Sequence, residues 1–114
     1  DFTYVLDTVA GFLHAGQVDG VEGETFNLGT GRDVTVGEVV SMIVDIIDRP
    51  LSVVQETERM RPQKSEVVRL ISDNRKAMNA LGWKPEVSLE QGLAQTVDWI
   101  RAHPDFFRPG VYQR

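Results

Sequence analysis

The segment Glu58-Arg59-Met60-Arg61-Pro62-Gln63-Lys64-Ser65-Glu66-Val67 is where an acidic chain gathers its positive charge, and it runs straight into Val68-Arg69-Leu70-Ile71 and Asp73. Arg59, Arg61, Lys64 and Arg69 all fall in this loop and its exit. Pro62 fixes its own φ and drives Arg61 out of the helical region into extended backbone. An arginine held that way presents a planar fork of donors, matched to a pair of phosphate or carboxylate oxygens. Glu66 offers the complementary chemistry, accepting hydrogen bonds from hydroxyl groups such as those of a ribose. A phosphate-type donor and a sugar-type acceptor on one loop point to a nucleotide-sugar site. The competing reading is a solvated charged loop whose arginines pair with Glu56, Glu58 and Glu66.

Outward from the loop, the pattern interleaves short strand-like runs with helices. Phe2-Thr3-Tyr4-Val5-Leu6 has the β-branched and aromatic composition of a strand, and Asp7 is positioned to cap a helix with Val9, Phe12 and Leu13 on one face. His14 lies on that helix, remote in sequence from the other histidine, His103, which argues against a metal site. Glu24-Thr25-Phe26-Asn27-Leu28 reads as a buried strand entering Gly29-Thr30-Gly31; Val34 stands where a dinucleotide fingerprint needs its third glycine, so the glycines mark a turn. Thr35 and Glu38 have capping-box spacing. The helix they open carries Val36, Val39, Val40, Ile43, Ile46 and Ile47 at a period of 3.6 and is expected to bury them, with Arg49-Pro50 ending it.

Leu51-Ser52-Val53-Val54 reads as a short strand leading to the charged loop. Beyond the loop, Asp73 is placed to cap a helix carrying Ala77, Met78 and Leu81, with Gly82 suited to the left-handed position after its end. Trp83 is a packing anchor and Pro85 blocks continuation. Ser88 with Gln91 forms a second capping box, opening a helix with Leu89, Leu93, Val97 and Ile100 inward and Trp99 off that face. The tail from His103 to Arg114 has Phe106, Phe107 and Tyr112 around Pro104 and Pro109, with no clear period.

A chain of 114 residues allows one modest core. Its apolar content of 41% and charged content of 25% are ordinary for a globular protein, and a net charge of −5 argues against general nucleic-acid binding. No cysteine is present, which leaves no disulfide framework or thiol nucleophile and fits a reducing cytoplasm. No apolar run reaches the roughly 18 residues of a membrane span.

Five motifs in order resemble one family. They are Asp1-Phe2-Thr3-Tyr4-Val5 with Asp7-Thr8-Val9, Phe26-Asn27-Leu28-Gly29-Thr30-Gly31, Arg61-Pro62 with Ser65-Glu66-Val67, Leu70 to Ala77, and Leu81-Gly82-Trp83-Lys84-Pro85. Together they resemble the C-terminal part of the extended short-chain dehydrogenase/reductases, the NAD(P)-dependent sugar-nucleotide epimerases and dehydratases. The 4,6-dehydratases are the nearest subgroup, and their GDP-mannose members carry Arg-Pro-Thr-Glu-Val at the charged loop. This chain has two more residues between Pro62 and Glu66 than that pattern. The family's Gly-rich fingerprint and Tyr-x-x-x-Lys pair precede the region that is matched. Neither Tyr4, with Thr8 four residues on, nor Tyr112 can be that tyrosine.

The resemblance implies an α/β fold, part of a larger enzyme. Residues 1–20 would supply a strand and helix to the dinucleotide-binding sheet, and residues 21–114 would form the substrate-binding domain. It implies a nucleoside-diphosphate sugar as ligand, with Arg61 on the diphosphate, Glu66 on ribose or base and Lys64 as a further contact. NAD or NADP would be held mainly by the N-terminal part, and the chain alone is expected to be inactive. A cytoplasmic protein that self-associates through surfaces exposed by truncation, Phe2, Tyr4 and Val5 among them, completes the expectation. The alternatives are a non-catalytic α/β binding module, or a parent enzyme that carries out reduction or decarboxylation on the same fold.

Overall fold

The computed structural model describes residues 1–54 and 67–107, and among them the regular structure is helical. The helices are α1 (Val5–Gln17), α2 (Val36–Ile47), α3 (Arg75–Leu81) and α4 (Leu89–Ala102), followed by a 3-10 turn at Pro104–Phe106. They pair as α1 with α3 and α2 with α4.

The first pair surrounds the core. Ala77, Leu81 and Trp83 are the buried apolar side chains among the described residues, and Ala10, Ala15, Val18, Val21, Phe26 and Leu28 pack around them half-buried. Trp83 is 1% exposed, and its indole N–H donates to the backbone carbonyl of Asp7 at 2.8 Å, which satisfies its one polar atom. The Asp7 carboxylate, also buried, accepts from the backbone N–H groups of Glu86 and Val87 at 3.2 and 3.1 Å. One residue in the first turn of α1 thus fixes both the tryptophan and the chain that follows it. Gly82 makes this approach possible by taking the left-handed cap of α3 at φ 63°, where a side chain would be strained. His14 joins the same assembly: a carbonyl can only accept, so His14 Nδ1 carries the hydrogen and donates to Leu81 O at 2.9 Å. The histidine has a structural task.

The second pair is built on two reciprocal caps. Thr35 with Glu38 opens α2 and Ser88 with Gln91 opens α4, each side chain accepting from the other residue's backbone N–H, as the spacing predicts. Asp48 ends α2 in the left-handed region at φ 51°. Tyr4 links the two pairs: its ring lies over Gly92 of α4, and its hydroxyl donates to Gln95 Oε1 at 3.0 Å. Past α4, Trp99 stacks on His103 with ring centroids 4.5 Å apart and meets the edge of Phe107, which gathers the described part of the aromatic tail into one cluster.

Several sequence expectations are corrected. No strand occurs among the described residues, so the strand-like runs at 2–6, 24–28, 51–54 and 68–71 do not form ladders, and the α/β class is not realised within them. Val5 and Leu6 are the first helical residues, and the helix starts after Tyr4, so Asp7 lies inside the first turn rather than before it. Their β propensity is outweighed because the helical register delivers Asp7 to Glu86, Val87 and Trp83. Residues 25–28 stay extended and alternate outward and inward, the pattern of a strand without a neighbour. At α3 the cap residue is Asn74, with Asp73 accepting from the Arg75 N–H one position earlier in the chain. Val36 and Ile100 are exposed rather than inward, and the rest of the α2 stripe is half-buried. α1 also presents an outer apolar stripe of Val5, Leu6, Val9, Phe12 and Leu13, of which Phe12 is 71% exposed. None of the described helices is long and apolar enough to cross a membrane.

The Trp83–Asp7 contact predicts a graded loss of stability. Trp83→Phe keeps an aromatic ring but leaves the Asp7 carbonyl without its donor, at a cost of about 1–3 kcal/mol. Trp83→Ala adds a cavity, for a total of about 3–5 kcal/mol. Urea unfolding followed by circular dichroism measures both, with the alanine variant expected to be the less stable.

Candidate functional site

The charged segment re-enters the described structure at Val67, and a single carboxylate organises the place where it returns. Asp1 Oδ1 accepts from Thr30 N–H at 2.9 Å and from the Thr30 hydroxyl at 2.7 Å. Its Oδ2 accepts from Gly31 N–H at 2.9 Å and from Ser72 N–H at 3.1 Å. The Asp1 nitrogen donates to Leu70 O at 3.0 Å. Three stretches far apart in sequence therefore meet on one residue, through charge-assisted bonds that are about twice as strong as neutral ones.

The packing at this junction is tight. A Cβ built on Gly29 would lie 2.3 Å from Ser72 Cβ and 3.0 Å from Asp1 Oδ2, so glycine alone lets the two turns approach. Asn74 Nδ2 donates to Gly29 O at 2.7 Å, which explains why this cap residue does not close its own helix. Ser72 Oγ is buried in the contact without a hydrogen-bond partner.

Around the junction three basic side chains meet carboxylates. Arg69 makes a two-pronged contact with Asp33, from Nε at 2.5 Å and Nη2 at 3.2 Å. Arg75 grips Asp73 in the same way, and Lys76 reaches Glu24 at 2.6 Å while lying 4.9 Å above the Phe26 ring centroid. The hydrogen bond from Arg69 holds Asp33 below its ordinary value of 3.8, and Arg75 holds Asp73 down at about 2. Lys76 lowers Glu24, and Glu38 is lowered by hydrogen bonds from the Thr35 backbone and hydroxyl. These pairs are exposed and contribute little to global stability; what they fix is local geometry.

The Gly29-Thr30-Gly31 turn does not fit a dinucleotide. The N–H groups of Thr30 and Gly31, which a pyrophosphate would need, are both donated to Asp1, so a protein carboxylate already fills the anion position. Among the described residues no cluster of His, Cys, Asp or Glu is arranged to hold a metal ion. Two open grooves flank the helices. One, of about 310 Å³, runs past Phe2, Arg32, Met42, Pro85 and Glu90. The other, of about 500 Å³, lies between α2 and α4 and is walled by Ile43, Ile47, Leu93 and Val97 with Arg49 and Arg101 at its rim.

Arg61, Lys64 and Glu66, the binding residues expected from sequence, lie outside the described residues, as do Pro109 and Tyr112 of the tail. Arg69, their neighbour in the charged run, is engaged by Asp33. Sequence reasoning missed the roles of Asp1, Thr30, Asp33 and Ser72. Their only signal was the recurrence of aspartate, Gly-Thr-Gly and Ser-Asp-Asn in a fixed order, since no local spacing links positions 1, 30 and 72.

Comparison with known proteins gives the wider context. A family profile described as GDP-mannose 4,6 dehydratase matches residues 1–96. The UDP-glucose 4-epimerase of Mycolicibacterium smegmatis is 35% identical over 101 residues, covering 89% of this chain and 31% of that protein. Among solved structures, an epimerase from Methanothermobacter thermautotrophicus superposes with a TM-score of 0.82 at 32% identity, over 93% of this chain and 31% of its own. RMD from Pseudomonas aeruginosa, solved complexed with NADPH, gives 0.74 at 28% identity, over 90% and 33%. The chain thus spans about a third of the length of these relatives.

The two arginine–aspartate grips predict an ordered release on acidification. A carboxylate whose folded value is lowered contributes its interaction above the unfolded value and loses it as pH falls through the folded one. Starting from the ordinary 3.8, the Arg75–Asp73 contact is expected to persist until pH approaches about 2, and the Arg69–Asp33 contact to open below 3.8. Solvent exchange of the two arginine Nε–H signals, followed by NMR between pH 5 and pH 2, reads each release separately.

Proposed function

The chain belongs to the GDP-mannose 4,6 dehydratase family of the extended short-chain dehydrogenase/reductases, and from that membership we propose that it forms the sugar-nucleotide-binding portion of an NAD(P)-dependent epimerase or 4,6-dehydratase. The observation that carries the proposal is the extent of the family match. It spans residues 1–96, a range that includes Arg61-Pro62 and Glu66. The family profile and the mycobacterial relative are named for substrates, GDP-mannose and UDP-glucose, that share a nucleoside diphosphate and differ in base and sugar. A diphosphate-reading arginine and a hydroxyl-reading carboxylate suit that common part.

In this reading Arg61 takes the diphosphate by its two-pronged fork, Lys64 adds a point charge, and Glu66 accepts from the ribose. Their contribution to the reaction is orientation: fixing the diphosphate fixes the sugar carbon, and a misplacement of about 1 Å costs about a hundredfold in rate. NAD(P) supplies the redox chemistry, and the proposal assigns its phosphates to the parts of such enzymes that this chain does not span, in keeping with the filled Gly29–Gly31 turn. The division at residue 20, a cytoplasmic setting and self-association belong to the same proposal; the outer stripe of α1 supports association of some kind, because apolar faces of that size are seldom left bare.

Calorimetric titration of UDP and GDP into the full-length protein tests the assignment. Arg61→Ala is expected to weaken binding by about 1.5–3 kcal/mol, the scale of hydrogen bonds to a charged group. Arg61→Lys recovers only part of the loss because an ammonium lacks the fork. Arg69→Ala, which removes a guanidinium already committed to Asp33, has the smaller direct effect. An Arg61→Ala variant that binds like wild type would overturn the proposal.

A further inference from the structure

We propose that Asp19 is a site of spontaneous covalent modification: its side chain cyclises on the backbone nitrogen of Gly20 and reopens as isoaspartate, lengthening the connection between α1 and the extended residues 25–28. The site lies within the described residues and is independent of the nucleotide-sugar reading.

An aspartate isomerises when the backbone nitrogen of the next residue can reach its carboxyl carbon. The first requirement is an unhindered neighbour. Asp19 is the only aspartate in the chain followed by glycine, and every other one precedes a residue whose side chain crowds the attacking nitrogen. The second is open space. Asp19 and Gly20 are both exposed in the turn that follows α1, and a Cβ built on Gly20 would meet nothing within 4 Å. The third is freedom of the reacting groups. Among the described residues neither the Asp19 carboxylate nor the Gly20 N–H takes part in a hydrogen bond or ion pair. By contrast Asp7, Asp33 and Asp73 are held by the Glu86 and Val87 N–H groups, by Arg69 and by Arg75, while Asp45 and Asp98 are fixed within α2 and α4.

The chemistry balances with water alone. The Gly20 nitrogen bonds to Cγ of Asp19 and gives up its proton, and a carboxyl oxygen leaves as water, which closes a succinimide ring. Water then adds to one of the ring carbonyls. Opening at Cγ restores aspartate. Opening at the Asp19 backbone carbonyl carbon breaks its bond to the Gly20 nitrogen, so the chain runs through Cβ and Cγ and the old carbonyl becomes a free carboxylate. The extra methylene falls between Val18 and Val21, both packed against the Ala77, Leu81 and Trp83 core. Downstream, Phe26 packs on the same core and Leu28 lies against Gly11 of α1. Isomerisation therefore loosens the anchoring of the extended segment on α1.

The experiment ages the folded protein at neutral pH and body temperature for several weeks, beside an Asp19→Glu variant and a sample kept unfolded in guanidinium chloride. Gly20 stands at φ 79°, where a side chain would strain the turn, so the control is made at Asp19. Each sample is digested with a protease that cleaves before aspartate but not before isoaspartate, and the peptides are resolved by chromatography and mass spectrometry. The folded protein is expected to lose cleavage at position 19 progressively, faster than at any other aspartate, with a new peptide of unchanged mass carrying the modified residue. Asp19→Glu is expected to show no isoaspartate there, because glutamate must close a larger and slower-forming ring. The aged wild type should unfold at a lower temperature than fresh protein, and aged Asp19→Glu should keep its unfolding temperature. Full cleavage at position 19 in the aged folded protein would overturn the proposal, whether or not the unfolded sample loses it, and so would faster loss at another aspartate. Isoaspartate at position 19 with an unchanged unfolding temperature would overturn the link to the packing of residues 25–28.

Discussion

The carboxylate and carbonyl of Asp7 carry the connection on which the rest of the packing depends. The carbonyl accepts from Trp83 and the carboxylate accepts from the two N–H groups that follow Pro85, so the start of α1 and the 83–87 bend are held together through Asp7 and Trp83, which are 5% and 1% exposed. A buried ionised group without partners would be strongly unfavourable, whereas one that accepts two backbone N–H groups resolves its own desolvation and theirs together. Because Trp83 is the largest fully buried side chain, this contact also determines where α3 ends and where α4 begins.

Asp1 repeats the device six residues earlier in the chain. Extended segments normally satisfy their backbone in ladders, but among the described residues none forms, and an aspartate collects the donors of two turns instead. The two carboxylates differ in what they hold. Asp7 binds a buried bend and acts on the core, while Asp1 joins the 30–31 turn to Leu70 and Ser72. Extended residues 25–28, packed on α1 through Leu28, retain the in-and-out alternation of a strand. Such a strand pairs when a sheet is present, and relatives three times as long have ample chain to supply one.

What was legible in the sequence was local. Thr35 with Glu38 and Ser88 with Gln91 announced two helices because a capping box is written within four residues. Gly82 and Trp83 announced an end and an anchor for the same reason. The start of α1 was misread because Phe2 to Leu6 has strand composition, and the contacts that favour a helix there come from residues near position 85. Likewise α2 looked fully buried from its period, yet it packs mainly on α4 and leaves Val36 exposed. The junction of Asp1, Thr30 and Ser72 was not legible, because no periodicity links these positions.

Proposing an anion site in a chain of net charge −5 raises the question of how the acidic excess is overcome. At physiological salt the Debye length is about 8 Å, so the acidic excess repels a nucleoside diphosphate only near the surface, and long-range steering contributes little in either direction. Affinity must then come from short contacts. The basic residues bordering the segment do not add a diffuse positive field, since Arg69, Arg75 and Lys76 are each matched to Asp33, Asp73 and Glu24. That pairing leaves the fork geometry of Arg61 as the discriminating element of the proposed site. A fork is directional, so its value falls quickly when its backbone shifts.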